Sequence, residues 1–141
     1  VGSPAPFRQP GEIYAGQVAA GFTPEWVCTT DEEFAGAVRE RFGQVAILPM
    51  ATPGVQIVGW AYNTPVLSNQ TATLITRVEG REVLVLIDRA GREVNLRRTG
   101  GQGLAGSEGL RLFKRRLGGL VLYEVTPLDG PRVIPSFVPG A

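Results

Sequence analysis

Residues 55–96 read VQIVGWAYNTPVLSNQTATLITRVEGREVLVLIDRAGREVNL, a series of β-strand patterns separated by turn signals. Residues 71–78 and 81–88 flank a Glu-Gly pair, and two strand patterns around a two-residue turn of this kind indicate a hairpin. Residues 83–87, VLVLI, are apolar without alternation, which indicates a central strand covered on both faces. This stretch therefore predicts an antiparallel sheet.

The hairpin predicts its own register. A two-residue turn places Arg77 opposite Glu82 as a cross-strand ion pair. Further strand patterns lie outside the hairpin, at residues 45–48, 55–62, 92–96, 111–116 and 120–125. Together these patterns predict a sheet of about six strands.

One helix pattern is clear. Thr30 and Glu33 form a capping box, which marks the start of a helix. An apolar stripe follows at every fourth position and consists of Phe34, Val38 and Phe42. We expect one main helix over about residues 30–42 to pack on the sheet, which makes the fold class α+β with a single domain.

Prolines mark both ends of the chain. Residues 1–24 contain four prolines and residues 127–141 contain four more, and proline removes a backbone donor and favours extended backbone. We therefore expect an extended N-terminal arm over 1–24, a core domain over 25–126 and an extended tail over 127–141. Long arms become ordered only where their own domain or a neighbour holds them, and the hypothesis is that they lie across neighbouring subunits. Their aromatic anchors are Phe7, Tyr14, Phe22 and Phe137.

The composition excludes several classes of site. Histidine is absent, which removes the commonest general base and metal ligand. The single cysteine, Cys28, excludes an internal disulfide and a cysteine zinc site. The net charge is +1, which gives no strong attraction to nucleic acid, and no apolar run reaches the ~18 residues of a membrane-spanning helix. We expect no catalytic residue, no metal and no cofactor.

Charge is distributed unevenly along the chain. The first 42 residues hold three arginines and six acidic residues, a net charge of −3, whereas basic residues gather between 92 and 116. A solvated strand face is the favoured explanation of this asymmetry, and a protein contact through the basic strands is the alternative. The basic interface candidates are Arg97, Arg98, Arg111, Lys114, Arg115 and Arg116.

Two further motifs have a functional and a structural interpretation. Residues 101–106, GQGLAG, match the G-x-G-x-x-G pattern of dinucleotide-binding loops. No strand ends in a tight turn just before them, so a flexible loop is favoured over a cofactor site. Cys28 precedes the helix N-terminus, where a thiol can become reactive, but a buried and inert cysteine is favoured.

The order of elements resembles a known family. A helix and a strand precede VQIVGWAY and TATLITRVEGREVLVLIDRAGRE, and a Gly-rich loop then precedes LFKRRLGGLVLYEVTPLDG. Over about residues 31–130 this order resembles the extracytoplasmic C-terminal domain of membrane-anchored bacterial anti-sigma factors. The family's zinc-binding segment and transmembrane helix have no counterpart here, so the resemblance implies a fold for extracytoplasmic protein contact and no catalytic residues.

The sequence thus predicts a non-catalytic protein-interaction domain, an accessory or structural subunit of a larger bacterial assembly that contacts other subunits through its arms. The alternatives are a sensor or regulatory domain of an anti-sigma-like regulator and a nucleotide-binding enzyme that uses residues 101–106. The chain begins with Val1, so we expect a processed protein or a piece of a longer chain. The expected location is extracytoplasmic, in the periplasm or at the cell surface.

Overall fold

The computed structural model describes residues 10–44, 46–61, 68, 70–91 and 109–139. They form two helices, a five-stranded sheet of order β2-β3-β4-β6-β5 and a two-stranded sheet of β1 and β7. All strand pairs are antiparallel, which confirms the single-domain α+β fold. The elements are α1 Pro10–Ala19, α2 Asp31–Phe42, β1 Ala46–Ile47, β2 Val55–Ala61, β3 Ala72–Val78, β4 Arg81–Arg89, β5 Arg111–Leu117, β6 Leu120–Thr126 and β7 Val138–Pro139, with a 3-10 turn at Ile134–Ser136.

The predicted central hairpin is confirmed. Glu79 and Gly80 join β3 to β4 with φ angles of 54° and 77°, the pair of positive values found in type I′ hairpin turns. Arg77 lies opposite Glu82, and its Nε is 3.2 Å from Oε2 of that glutamate. The turn chemistry therefore fixes the register of the two middle strands.

Helix α2 begins and ends where the sequence predicts. The Thr30 side chain accepts a hydrogen bond from the backbone N–H of Glu33 at 3.1 Å, and Glu33 Oε1 in turn accepts from the N–H of Thr29 at 2.7 Å. Gly43 ends the helix in the left-handed conformation with φ 72°. The predicted apolar stripe of Phe34, Val38 and Phe42 is buried.

Both faces of the sheet are covered, as the apolar run in β4 predicts. Val83, Val85 and Ile87 pack in the cluster that contains the α2 stripe, whereas Leu84 and Leu86 pack in the cluster that contains α1. Alternate side chains of a strand point to opposite faces, so one continuous apolar strand supplies both clusters.

The N-terminal region differs from the extended arm that the prolines predict. Residues 10–19 form the helix α1, and Pro10 is its first residue, a position where the missing N–H costs nothing. Ile13 is buried against the sheet, and Tyr14 donates a hydrogen bond from its hydroxyl to the backbone oxygen of Glu82 at 2.8 Å. The described part of this region therefore packs on its own domain.

The C-terminal region also folds back onto its own chain. Val133, Ile134 and Phe137 are buried in the α2-side cluster, and β7 pairs with β1. The predicted strand at 45–48 thus joins the tail in a separate small sheet, and the described residues form five strands in the main sheet. The predicted strand at 92–96 lies outside the described residues.

Candidate interaction surfaces

The predicted aromatic anchors are used inside the chain. Phe137 is only 1% exposed, and its ring centroid lies 6.0 Å from that of Phe34. Phe22 is buried, and its ring centroid lies 5.5 Å from that of Tyr14 in a T-shaped arrangement. Phe22 and Phe137 are buried in their own fold, which corrects the prediction that they anchor neighbouring subunits. Tyr14 is half-buried, and its role as an anchor stays a prediction. Phe7 lies outside the described residues.

The basic interface candidates divide into three groups. Arg111, Lys114 and Arg116 lie exposed on β5, which forms one edge of the main sheet among the described residues. Arg115 is half-buried, and its Nη1 donates to the backbone oxygens of residues 134 and 137 at 2.6 and 2.9 Å. It positions the tail, and the expectation that Arg115 contacts a partner stays a prediction. Residues 97, 98 and 101–106 lie outside the described part of the chain.

Glu124, an acidic residue, binds the same tail that Arg115 binds. Its two carboxylate oxygens accept hydrogen bonds from the backbone N–H groups of Arg132, Val133 and Ile134 at 2.8, 2.9 and 2.9 Å. Burial raises the pKa of Glu124 above its usual range, although the three N–H donors and the Arg132 charge act to lower it. A buried carboxylate and a guanidinium therefore clamp the segment that carries the 3-10 turn.

Asp88 forms a second buried polar cluster, at the end of β4. It accepts hydrogen bonds from the hydroxyls of Ser68 and Thr71 at 2.6 and 2.9 Å and from the backbone N–H of Arg89 at 2.7 Å. Two of these donors are side-chain hydroxyls, so the contacts tie residues 68 and 71 to the sheet. Within the described ranges, no three His, Cys, Asp or Glu side chains gather as metal ligands.

A groove that the sequence reasoning missed lies between α2 and the segment before it. Its cavity volume is about 650 Å³, and its lining residues are Glu25, Trp26, Glu33, Gly36, Ala37 and Glu40. Trp26 is 40% exposed, which is unusual for the largest apolar side chain. Glutamates surround this tryptophan, so the groove combines an aromatic surface with negative charge.

The β2 strand positions the tryptophan side of the groove. The backbone N–H groups of Glu25 and Trp26 donate to the oxygen of Trp60 at 2.8 and 3.2 Å, and Trp60 N–H donates back to Trp26 at 2.7 Å. Gly59 permits this close approach, because a Cβ there would lie 2.5 Å from the Pro24 Cβ. The segment therefore runs along β2 on the side away from β3.

Helix α2 supplies the other wall. Glu33, Gly36, Ala37 and Glu40 fall at i, i+3, i+4 and i+7, so they share one face of the helix. The two small residues in the middle leave the space, and a Cβ added at Gly36 would meet nothing within 4 Å. This spacing of small residues between glutamates is the signal in the sequence that identifies the face.

The capping contacts keep one wall of the groove charged. Hydrogen bonds from the backbone N–H and the hydroxyl of Thr29 lower the pKa of Glu33 below its usual value. Glu33 therefore carries its negative charge at neutral pH and into mildly acidic conditions.

Cys28 lies behind the groove in the core. It is buried, and the Trp60 indole Nε1–H donates to its Sγ at 3.1 Å. Burial raises the pKa of the thiol, so the thiolate is disfavoured. The predicted burial is confirmed, and its low reactivity stays a prediction.

Comparison with protein-family models, with curated proteins and with solved structures gave no match. The resemblance to anti-sigma factor domains therefore stays a prediction. No helix of the described residues is long and apolar enough to cross a membrane.

Proposed function

We propose that this chain is a non-catalytic protein-interaction domain, an accessory subunit that docks a cationic segment of a partner protein in the groove beside Trp26. The observation that carries the proposal is the combination in one groove of an exposed tryptophan and the side chains of Glu25, Glu33 and Glu40.

The chemistry of the groove favours a basic protein segment over other ligands. Tryptophan is enriched at the energetic centres of protein interfaces, and its ring face attracts the guanidinium of arginine. The glutamates repel anions such as phosphates and attract cations, and a volume of about 650 Å³ accommodates several side chains. A segment that presents arginine or lysine beside apolar residues matches both the aromatic surface and the negative charge of the groove.

The rigid frame around the groove supports the same function. The tryptophan side is bonded to β2 and the glutamate side belongs to a capped helix, so binding requires little ordering of the backbone. The described parts of the terminal regions, residues 10–24 and 127–139, pack on this frame.

The test is a titration of the protein with a hexa-arginine peptide, observed through tryptophan fluorescence. We expect a saturable change in emission from Trp26, no change with a hexa-glutamate peptide, and loss of the signal in Trp26→Phe. Because Trp60 is only 1% exposed, its emission serves as an internal reference. The affinity should fall between about 0.01 M and 1 M salt, as the Debye length shortens from about 30 to 3 Å.

Matched variants connect this binding to the groove. Glu33→Gln with Glu40→Gln removes two charges while the amide oxygen at 33 still caps the helix, and we expect clearly weaker peptide binding. Glu32→Gln removes an exposed charge of the same helix outside the groove and should bind as the parent does. Equal loss in both variants, or no saturation with the parent protein, would refute the proposal.

A further inference from the structure

We infer that the partner is a second copy of this chain, whose basic strand β5 lies against the groove beside Trp26. This inference rests on the proposed function of the groove and names its occupant. It predicts head-to-tail self-association, in which one copy supplies β5 and the next copy supplies the groove.

The strand has the chemistry that the groove selects. Residues 111–117 read RLFKRRL, with four basic residues and no acidic one. Arg111, Lys114 and Arg116 are exposed, whereas Arg115 is occupied with the tail of its own chain. Lys114 and Arg116 also have interaction partners within the chain, so the complementarity rests on the net positive charge of the strand.

The two surfaces lie at opposite sides of the same sheet. Among the described residues, β5 and β2 are the outer strands of the main sheet, and Trp26 is bonded along the outer side of β2. One copy therefore cannot bring its own β5 into its own groove. When the groove of each copy takes β5 of the next copy, the contact is heterologous and generates chains or rings.

The charge of β5 also disfavours a symmetric dimer in which β5 pairs with β5 of a second copy. An exposed edge strand is a general site for pairing with an identical strand. Pairing of β5 with β5 of another copy brings two strongly basic strands together, and like charges across a strand pair are destabilising. An acidic groove on the next copy accepts the same strand without this repulsion.

The experiment is sedimentation velocity of the full chain over a range of concentrations at low and high salt. We expect the sedimentation coefficient of the parent protein to rise with concentration at low salt. At high salt it should stay at the value of the monomer at every concentration. Glu33→Gln with Glu40→Gln neutralises the groove, and Lys114→Gln with Arg116→Gln neutralises the strand. Each double variant alone should associate roughly tenfold more weakly than the parent.

Mixing the two double variants tests the head-to-tail arrangement. The groove variant retains a basic β5 and the strand variant retains an acidic groove, so an equimolar mixture should form a 1:1 pair that does not grow further. Circular dichroism of each variant confirms that its fold is intact, and Glu32→Gln should associate as the parent does.

Three results would overturn the inference. The first is a parent protein that stays monomeric at all concentrations in low salt. The second is self-association that neither double variant weakens, and the third is a mixture that associates no better than its components. If the parent is monomeric and hexa-arginine still binds at Trp26, the second-copy inference fails and the proposed function stands, whereas absence of both effects refutes both.

Discussion

Glu124→Ala tests how strongly the tail is held to the domain. The substitution removes the carboxylate that accepts hydrogen bonds from the backbone N–H groups of Arg132, Val133 and Ile134, at 2.8–2.9 Å. Val133 and Ile134 are buried, so their N–H groups lose their acceptor without gaining water in exchange.

The expected cost follows from these contacts. A buried donor left without a partner costs about 1–3 kcal/mol, and two such donors remain. Against this, the variant no longer has to bury a carboxylate, the same burial that raises the pKa of Glu124. We therefore expect Glu124→Ala to lower the free energy of unfolding by about 2–4 kcal/mol.

Urea denaturation observed through the emission of the buried Trp60 measures this change. The transition midpoint should fall in Glu124→Ala with little change in slope, since the folded state still buries most of the same surface. Asp129→Ala serves as the matched control, because this acidic residue of the same region is exposed. A midpoint equal to that of the parent would show that the clamp does not hold the tail.

The pH dependence of the same clamp has a defined sign. Because the folded state raises the pKa of Glu124, it binds the proton more tightly than the unfolded chain does. This residue's contribution to stability is therefore largest below the unfolded carboxyl pKa of about 4.3 and declines as the pH rises through the folded value. Glu124→Gln does not titrate, so the stability advantage of the parent over this variant should shrink with rising pH, and an advantage that grows instead contradicts the assignment.

Three further substitutions or reactions test the packing. Phe137→Ala should cost about 3–5 kcal/mol in thermal or urea unfolding, because the ring is fully enclosed, and a cost below 1 kcal/mol would show that the tail is not part of the core. Gly59→Ala places a Cβ 2.5 Å from the Pro24 Cβ, so it should cost about 1–3 kcal/mol and weaken peptide binding at the displaced groove wall; unchanged binding would contradict this. Cys28 should react with Ellman's reagent only after unfolding in urea, and rapid labelling of the folded protein would refute its burial.

The elements that the sequence predicts well are those with local causes. The Glu79-Gly80 turn joins neighbouring strands, and the Thr30 cap acts three residues along the chain. Such contacts depend on residue type and short spacing, so the hairpin, its ion pair and α2 follow from the sequence. The apolar run at 83–87 likewise specifies a strand covered on both faces.

The structure of the terminal regions cannot be predicted from local sequence patterns. Proline at position 10 suits an extended backbone or the first turn of a helix, and only packing of Ile13 on the sheet decides between them. The tail is held by Arg115, which lies 19 and 22 residues away from the two carbonyl groups that it binds. No local pattern reveals such a contact.

The groove depends both on local spacing along α2 and on contacts between residues that are distant in the sequence. Helical spacing alone predicts that the small residues between Glu33 and Glu40 share one helix face with these glutamates. The place of Trp26 does not, because it depends on bonds to Trp60, 34 residues away along the chain. The sequence thus indicates one wall of the groove, and the fold supplies the other.

Binding at the groove can be observed residue by residue in an NMR titration of the ¹⁵N-labelled protein with hexa-arginine, in which the indole N–H signals of Trp26 and Trp60 are compared. We expect a saturable shift of the Trp26 signal, while the Trp60 signal, whose N–H is bonded to Cys28 Sγ, keeps its position. A titration in which neither signal moves, or in which only the Trp60 signal moves, would contradict the assignment of the groove as the interaction site.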